Sequence, residues 1–189
     1  PPAAEVYGGD ITSQVFYFDG LEHQMEGKYR KGHFNGVGTI VKKLFELVEP
    51  DKAFFGEKDY QQLQIIRKMV AKEGLNVEVI GCPTNREANG LARSSRNERL
   101  DPVARQNAAL LYKMLQKARE NFGTKSATDI ISWVSEELQA NPDLKLEYFE
   151  IANADTLESI GEKENGQRYR AFIAAYSGDI RLIDNIALN

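Results

Sequence analysis

Val37, Ile40, Val41, Leu44 and Val48 recur at intervals of three and four, the spacing of one helix face, and Pro50 closes the segment. The run Lys52-Ala53-Phe54-Phe55 is short, apolar and bounded, which predicts a buried parallel strand. Leu63, Ile66, Met69 and Val70 then mark one face of a second helix from about Tyr60 to Glu73, with Gly74 suited to its C-terminal cap. "NVEVIGCPT" reads as the next strand, closed by Pro83. Helices and strands in alternation predict a parallel α/β sheet.

The pattern changes near Thr84. Residues 85–100 have no steady period and read as a polar loop or linker. Asp101-Pro102 suits a helix start, a cap followed by proline at the first position. Ala108, Leu111, Leu115 and Ala118 carry that helix to Gly123. Ser126, with Asp129 at the third helical position, starts another, striped by Ile130, Trp133, Val134 and Leu138. "LKLEYFEI" alternates as a strand, and "RYRAFIAAY", Ser177-Gly178 and "DIRLIDNI" read as a β-hairpin. The expectation is an α/β unit over residues 1–84 and an α+β unit over residues 85–189.

Composition narrows the classes. The 189 residues carry a net charge of −4, so a strongly basic nucleic-acid binder is not expected. No apolar stretch approaches the roughly 20 residues that cross a bilayer. The opening "PPAAEVYGGD" has neither the basic segment nor the apolar core of a signal peptide. Cys82 is the sole cysteine, which precludes an internal disulfide and suits a reducing cytoplasm; it reads as a small buried apolar residue.

Two segments carry candidate chemistry. Gly56-Glu57-Lys58-Asp59 stands where a strand passes into a helix, the place where parallel sheets bind ligands. Glycine there admits close approach to the backbone, a helix start favours an anion, and Lys58 adds charge, so the segment suits a phosphate. Asp59 and Gln62 also have the spacing of a capping box, and Lys58 also fits a solvated turn. Arg86, Arg93, Arg96 and Arg99 cluster around Ser94 and Ser95, side chains that suit a polyphosphate. The same cluster fits a charged linker, with Arg86–Glu87 and Glu98–Arg99 partly cancelling. Two anion-suited loops on one sheet edge suggest a nucleoside triphosphate site.

"FGEKDYQQL" and "LARSSRN", in that order and spacing, resemble the pantothenate synthetase (pantoate–β-alanine ligase) family. The likeness runs from about Glu26 to Asn97 and extends toward the C-terminus. It implies the C-terminal half of a Rossmann-like parallel-sheet domain (1–84), then a small α+β lid domain with helices and an antiparallel sheet (85–189). It also implies a reaction: ATP and Mg²⁺ activate pantoate as pantoyl adenylate, and the amine of β-alanine then displaces AMP. Carried over, Gly56, Glu57, Lys58 and Asp59 contact ATP, with Lys58 stabilising charge at the α-phosphate. Gln62 binds pantoate, Asn85 offers backbone contacts to adenine, and Ser94, Ser95 and Arg96 form a mobile phosphate loop. Arg96 also assists with the β-alanine carboxylate; Arg93, which stands where the family has an apolar residue, either adds a phosphate contact or is simply exposed.

The resemblance further implies a cytoplasmic homodimer with no nucleic-acid or membrane partner, and no metal held by the protein itself. Lys31, Asn89 and Arg93 depart from the family pattern, which usually has proline, aspartate and an apolar residue there. The family's His-x-Gly-His motif is not in the sequence, since His23 and His33 stand in no such arrangement. A structural role is expected for His33. The chain is therefore expected to be a C-terminal portion whose residues 1–189 alone form no pantoyl adenylate, and whose half-sheet exposes apolar edge surface. Pantoate-dependent pyrophosphate release above a buffer control would contradict this. Two alternatives stay open: another nucleotidyltransferase-superfamily enzyme, and a non-catalytic dimerisation or phosphate-binding module.

Overall fold

The computed structural model describes residues 2–9 and 12–189; Pro1 and Asp10 of the opening segment, and Ile11, lie outside the described residues. The chain divides into two compact units, Pro1–Phe55 with Gln61–Ile80, and Gly56–Tyr60 with Gly81–Asn189. None of the described helices is long and apolar enough to cross a membrane.

The first unit holds α1 (Ala3–Val6), α2 (Met25–Tyr29), α3 (His33–Val48), β1 (Lys52–Gly56), most of α4 (Tyr60–Glu73) and the start of β2 (Glu78–Cys82). β1 and β2 form a two-stranded parallel sheet. Lys52 and Glu78, the first residues of each strand, pair at 3.1 Å. Its core gathers Phe18, Leu21, Met25 and Phe34 with Leu63, Ile65, Ile66 and Met69 of α4. α4 ends as its sequence predicts: Gly74 takes φ +62°, and the Leu75 N–H donates to Val70 O.

α3 spans the predicted helix, but much of its apolar stripe faces outward. Ile40, Leu44, Leu47 and Val48 are exposed, Val48 by 68%. The buried residues of α3 are Phe34 in its first turn, then Gly38 and Thr39. Gly38 lies so close to Phe16 that a Cβ there would stand 2.9 Å from the ring. The Thr39 hydroxyl accepts from Gln14 N–H at 2.8 Å and donates to Asn35 O at 2.7 Å. β1 corrects a second expectation: it alternates instead of being buried on both faces, and Phe54 is 65% exposed. Phe55, on the opposite face, meets Phe45 edge-on at 6.3 Å. Cys82 is half-buried rather than sealed in a core.

The second unit holds α5 (Pro102–Ala108), α6 (Leu110–Phe122), α7 (Ala127–Gln139), β3 (Lys145–Asn153), β4 (Tyr169–Ser177) and β5 (Ile180–Ala187). The strands form an antiparallel sheet in the order β3-β4-β5. Asp101 caps α5 by accepting from Val103 and Ala104 N–H at 2.9 Å, with Pro102 at the first position. Ser126 caps α7 by accepting from Asp129 N–H at 3.0 Å. The helix expected to run unbroken to Gly123 is interrupted at Ala109, whose N–H bonds three residues back to Gln106 O, a local 3₁₀ tightening. Leu111, Leu115, Ile130, Val134 and Leu138 pack on Ile151 and Ile173. Gly178, φ +58°, opens the two-residue turn that joins β4 to β5.

Candidate active site

β1 passes at Gly56 into a 3₁₀ turn, Glu57–Asp59, that leads directly into α4. Gly56 has φ −66° and ψ 131°, a conformation open to any residue, and a Cβ there would meet nothing within 4 Å. Neither backbone nor packing within the chain requires glycine at this exposed position. The capping box expected of Asp59 and Gln62 is not formed. The 3₁₀ turn already occupies the helix entrance, and the Asp59 carboxylate lies 3.7 Å from Lys58 Nζ. Gln62 is half-buried and makes no side-chain hydrogen bond among the described residues. Its neighbour Gln61 is the structural glutamine. Buried in the first unit, it donates to Leu21 O and Gln24 O, both at 2.8 Å, and accepts from Glu26 N–H at 3.0 Å.

Lys58, Ser94 and Arg96 come together in the second unit, lining one small cavity with Asn97, Arg181 and Asp184. The Lys58 side chain is 18% exposed. Asp184 is buried and receives Arg86 in a two-pronged pair, Nη1 to Oδ2 at 2.6 Å and Nη2 to Oδ1 at 3.0 Å. Burial pushes the Asp184 carboxyl upward. The hydrogen bonds and charge of Arg86, the Asn185 N–H and the charge of Lys58 pull it back. The cavity measures about 10 Å³, room for about one water, so a larger anion enters only when side chains move. Arg96 is the one placed to do so: it is exposed, and its guanidinium rests on the Arg181 carbonyl at 3.1 Å.

Residues 85–100 are more ordered than a linker. Arg86 pairs across to Ala92 in a short antiparallel bridge, Arg93 N–H donates to Asn85 O at 2.9 Å, and Ser95–Arg99 form a 3₁₀ turn. The arginines do not act as one cluster. Arg86 is locked on Asp184 and stacks 3.6 Å over Tyr112. Gly90, at φ +95°, lets the loop pass that ring, since a Cβ would lie 2.7 Å from it. Arg99 meets Asp179 at 3.3 Å on the surface. The Arg93 guanidinium makes no hydrogen bond or ion pair among the described residues and lines an open depression with Ser94, Ser95, Glu87, Glu98 and Arg105. The expected Arg86–Glu87 and Glu98–Arg99 cancellation is replaced by Arg105, which bonds Glu87 at 2.8 and 2.9 Å and Glu98 at 3.1 Å.

Arg105's hydrogen bonds hold the Glu87 carboxyl below the ordinary glutamic acid range; burial opposes this, and Asn97 adds to it. The loop is tied to this carboxylate, since Asn97 donates to Glu87 at 2.7 Å and to Ala92 O at 3.0 Å. A carboxyl depressed on folding stabilises above its unfolded value, about 4.3, and the contribution is lost as pH falls through the lower folded value. Glu87→Gln is therefore expected to lower the melting temperature at neutral pH. The gap from wild type should shrink below that unfolded value and close under stronger acid, as thermal melts across the range would show.

Asp184, Asn185, Arg170 and Arg181 were not singled out from the sequence. A signal for Asp184 and Asn185 was present: "RLIDN" sets two polar residues side by side inside a predicted strand. Among the described residues, no group of three or more His, Cys, Asp or Glu side chains could hold a metal ion.

The family model for pantoate-β-alanine ligase matches residues 1–187. The chain is 62% identical over 189 residues to the pantothenate synthetase of Christiangramia forsetii, covering all of this chain and 67% of that protein. It is 52% identical over 188 residues to that of Flavobacterium psychrophilum, again covering 67% of the relative. Among solved structures, pantothenate synthetase from Thermus thermophilus matches with a TM-score of 0.91 and 40% identity, over 100% of this chain and 68% of that one. Pantoate-β-alanine ligase from Francisella tularensis, complexed with β,γ-ATP and β-alanine, matches with a TM-score of 0.75 and 29% identity, over 98% of this chain and 62% of that one. The chain spans about two thirds of the length of these relatives. On sequence and on structure alike, it belongs to the pantoate–β-alanine ligase family.

Proposed function

We propose that this chain supplies the Lys58 loop, the Ser94–Arg96 loop and Gln62 to an ATP-dependent ligase that joins pantoate to β-alanine. The observation that carries the reading is the convergence of Lys58 on one cavity with Ser94 and Arg96, which belong to a single loop far along the chain from it. In the first step a pantoate carboxylate oxygen attacks the α-phosphorus of ATP. The new O–P bond forms as the bond to the β-phosphate oxygen breaks, releasing pyrophosphate. In the second step the β-alanine amine attacks the acyl carbon, the C–N bond forms, a proton leaves the nitrogen and AMP departs.

Lys58 places a charge where negative charge develops on the transferring phosphate, and a partly buried ammonium is worth more there than in water. Arg96 exchanges its hold on the Arg181 carbonyl for phosphate or carboxylate, and Ser94 and Ser95 offer hydroxyls beside it. Arg93, whose guanidinium is not spent on a hydrogen bond or ion pair among the described residues, adds a phosphate contact. Glu57, Asp59 and the backbone at Gly56 and Asn85 border the nucleotide, and Gln62 binds pantoate through its unengaged amide. The nucleotide identity is supported by the ATP analogue in the Francisella tularensis relative. Mg²⁺ belongs to the same reading, where it would accompany the nucleotide and screen the charge of its phosphates. A cytoplasmic homodimer belongs to the same reading.

The test is a pair of assays on the complete enzyme. Pyrophosphate release should require pantoate but not β-alanine, and AMP release should require both. Equal turnover with unrelated carboxylic acids would favour another nucleotidyltransferase, and no pyrophosphate release at all would favour a binding module.

A further inference from the structure

We infer that Asn185 is the positioning residue for Lys58, acting through the backbone of the loop that carries it; the inference rests on the ligase reading above. The Asn185 side chain is buried, and its amide is spent almost entirely on that loop. Nδ2 donates to two successive carbonyls, Glu57 O at 2.9 Å and Lys58 O at 2.8 Å. Oδ1 accepts from Arg170 Nη1 at 2.5 Å. One amide can receive neighbouring carbonyls on both its hydrogens only when the backbone between them is turned, so the pair of bonds fixes the 3₁₀ geometry at Lys58. That geometry has little support of its own. The turn is three residues long, and its entrance at Gly56 has no side-chain cap.

Arg170 completes the grip. Its buried guanidinium bonds Glu57 Oε2 at 3.2 Å and lies 3.9 Å over the ring of Tyr60, at either end of the turn. Asp184, next along β5, lines the cavity that Lys58 enters and accepts the Asn185 N–H at 2.8 Å. An apolar residue would serve the strand as well as Asn185 does, without the cost of burying an amide. The bonds its side chain gains in return go to the Lys58 loop and to Arg170, which grips the same loop. The polar choice is therefore explained by the loop and not by the sheet.

The experiment is a double-mutant cycle on the complete enzyme, reading kcat and KM for pantoate-dependent pyrophosphate release. Asn185→Ala should lower kcat about a hundred-fold, the scale of an ångström-sized misplacement, with KM for ATP moving far less. In a Lys58→Ala background the same change should add almost nothing, because the group it positions is gone. Losses that multiply, or a single variant with wild-type kcat, would overturn the inference. If Asn185→Ala does not fold, Asn185→Ser takes its place in the cycle with the same expectation. Failure of both to fold would assign Asn185 to the sheet and also overturn it. A wild-type enzyme that releases no pyrophosphate with pantoate would sink the ligase reading first, and this inference with it.

Discussion

Lys58→Ala in the complete enzyme is expected to slow pyrophosphate release about a hundred-fold or more, the usual cost of losing one electrostatic donor aimed at the reacting group. The affinity for pantoate should change little, because the ammonium shares its cavity with Ser94 and Arg96, the residues assigned to phosphate. Stability should also hold. Lys58 makes a loose contact with Asp59 at 3.7 Å, the buried Asp184 near it keeps its two-pronged pair with Arg86, and the bonds that fix the loop are made by the Lys58 carbonyl. Single-turnover measurements separate the chemical step from binding. A rate near wild type would return Lys58 to the role of a turn residue.

Gln62→Glu is expected to raise the KM for pantoate roughly ten-fold or more, because it sets a carboxylate against the substrate's own carboxylate in a partly desolvated place. The melting temperature should stay nearly constant: Gln62 makes no side-chain hydrogen bond among the described residues, and glutamate suits a helix as well as glutamine. Gln61→Glu is the instructive contrast. It would press a carboxylate oxygen onto the Leu21 and Gln24 carbonyls that now accept from the amide, and the fold should suffer first. Calorimetry with pantoate at a saturating ATP analogue decides the matter for Gln62. Unchanged binding would show that it is not a pantoate ligand.

What the sequence disclosed was local. Ser126 over Asp129, Asp101 before Pro102 and Gly74 after α4 are signals spoken within four residues, and each cap is found as predicted. The order of helices and strands followed from the same short-range periodicities. Failures arose where the answer lay far along the chain. The α3 stripe showed a helix but not which side would be covered, and the covered side carries Phe34, Gly38 and Thr39, the last two against Phe16 and Gln14. Arg86 looked like one more loop arginine because its partner, Asp184, stands 98 residues away. The candidate lysine and the serine–arginine loop were legible through the family likeness. The groups that hold them in place, Asn185 and Arg170, were not.

The bond between Asn185 and Lys58 spans 127 residues, which sets a timetable for biosynthesis. At roughly 5–20 residues per second, a ribosome needs about 6–25 s after making Lys58 before it makes Asn185. Throughout that interval the turn lacks Asn185, and for most of it Arg170 as well, so in the nascent chain the turn at Lys58 is without the two side chains that grip it. The lysine is set in place only when nearly all of the C-terminal sheet has been translated.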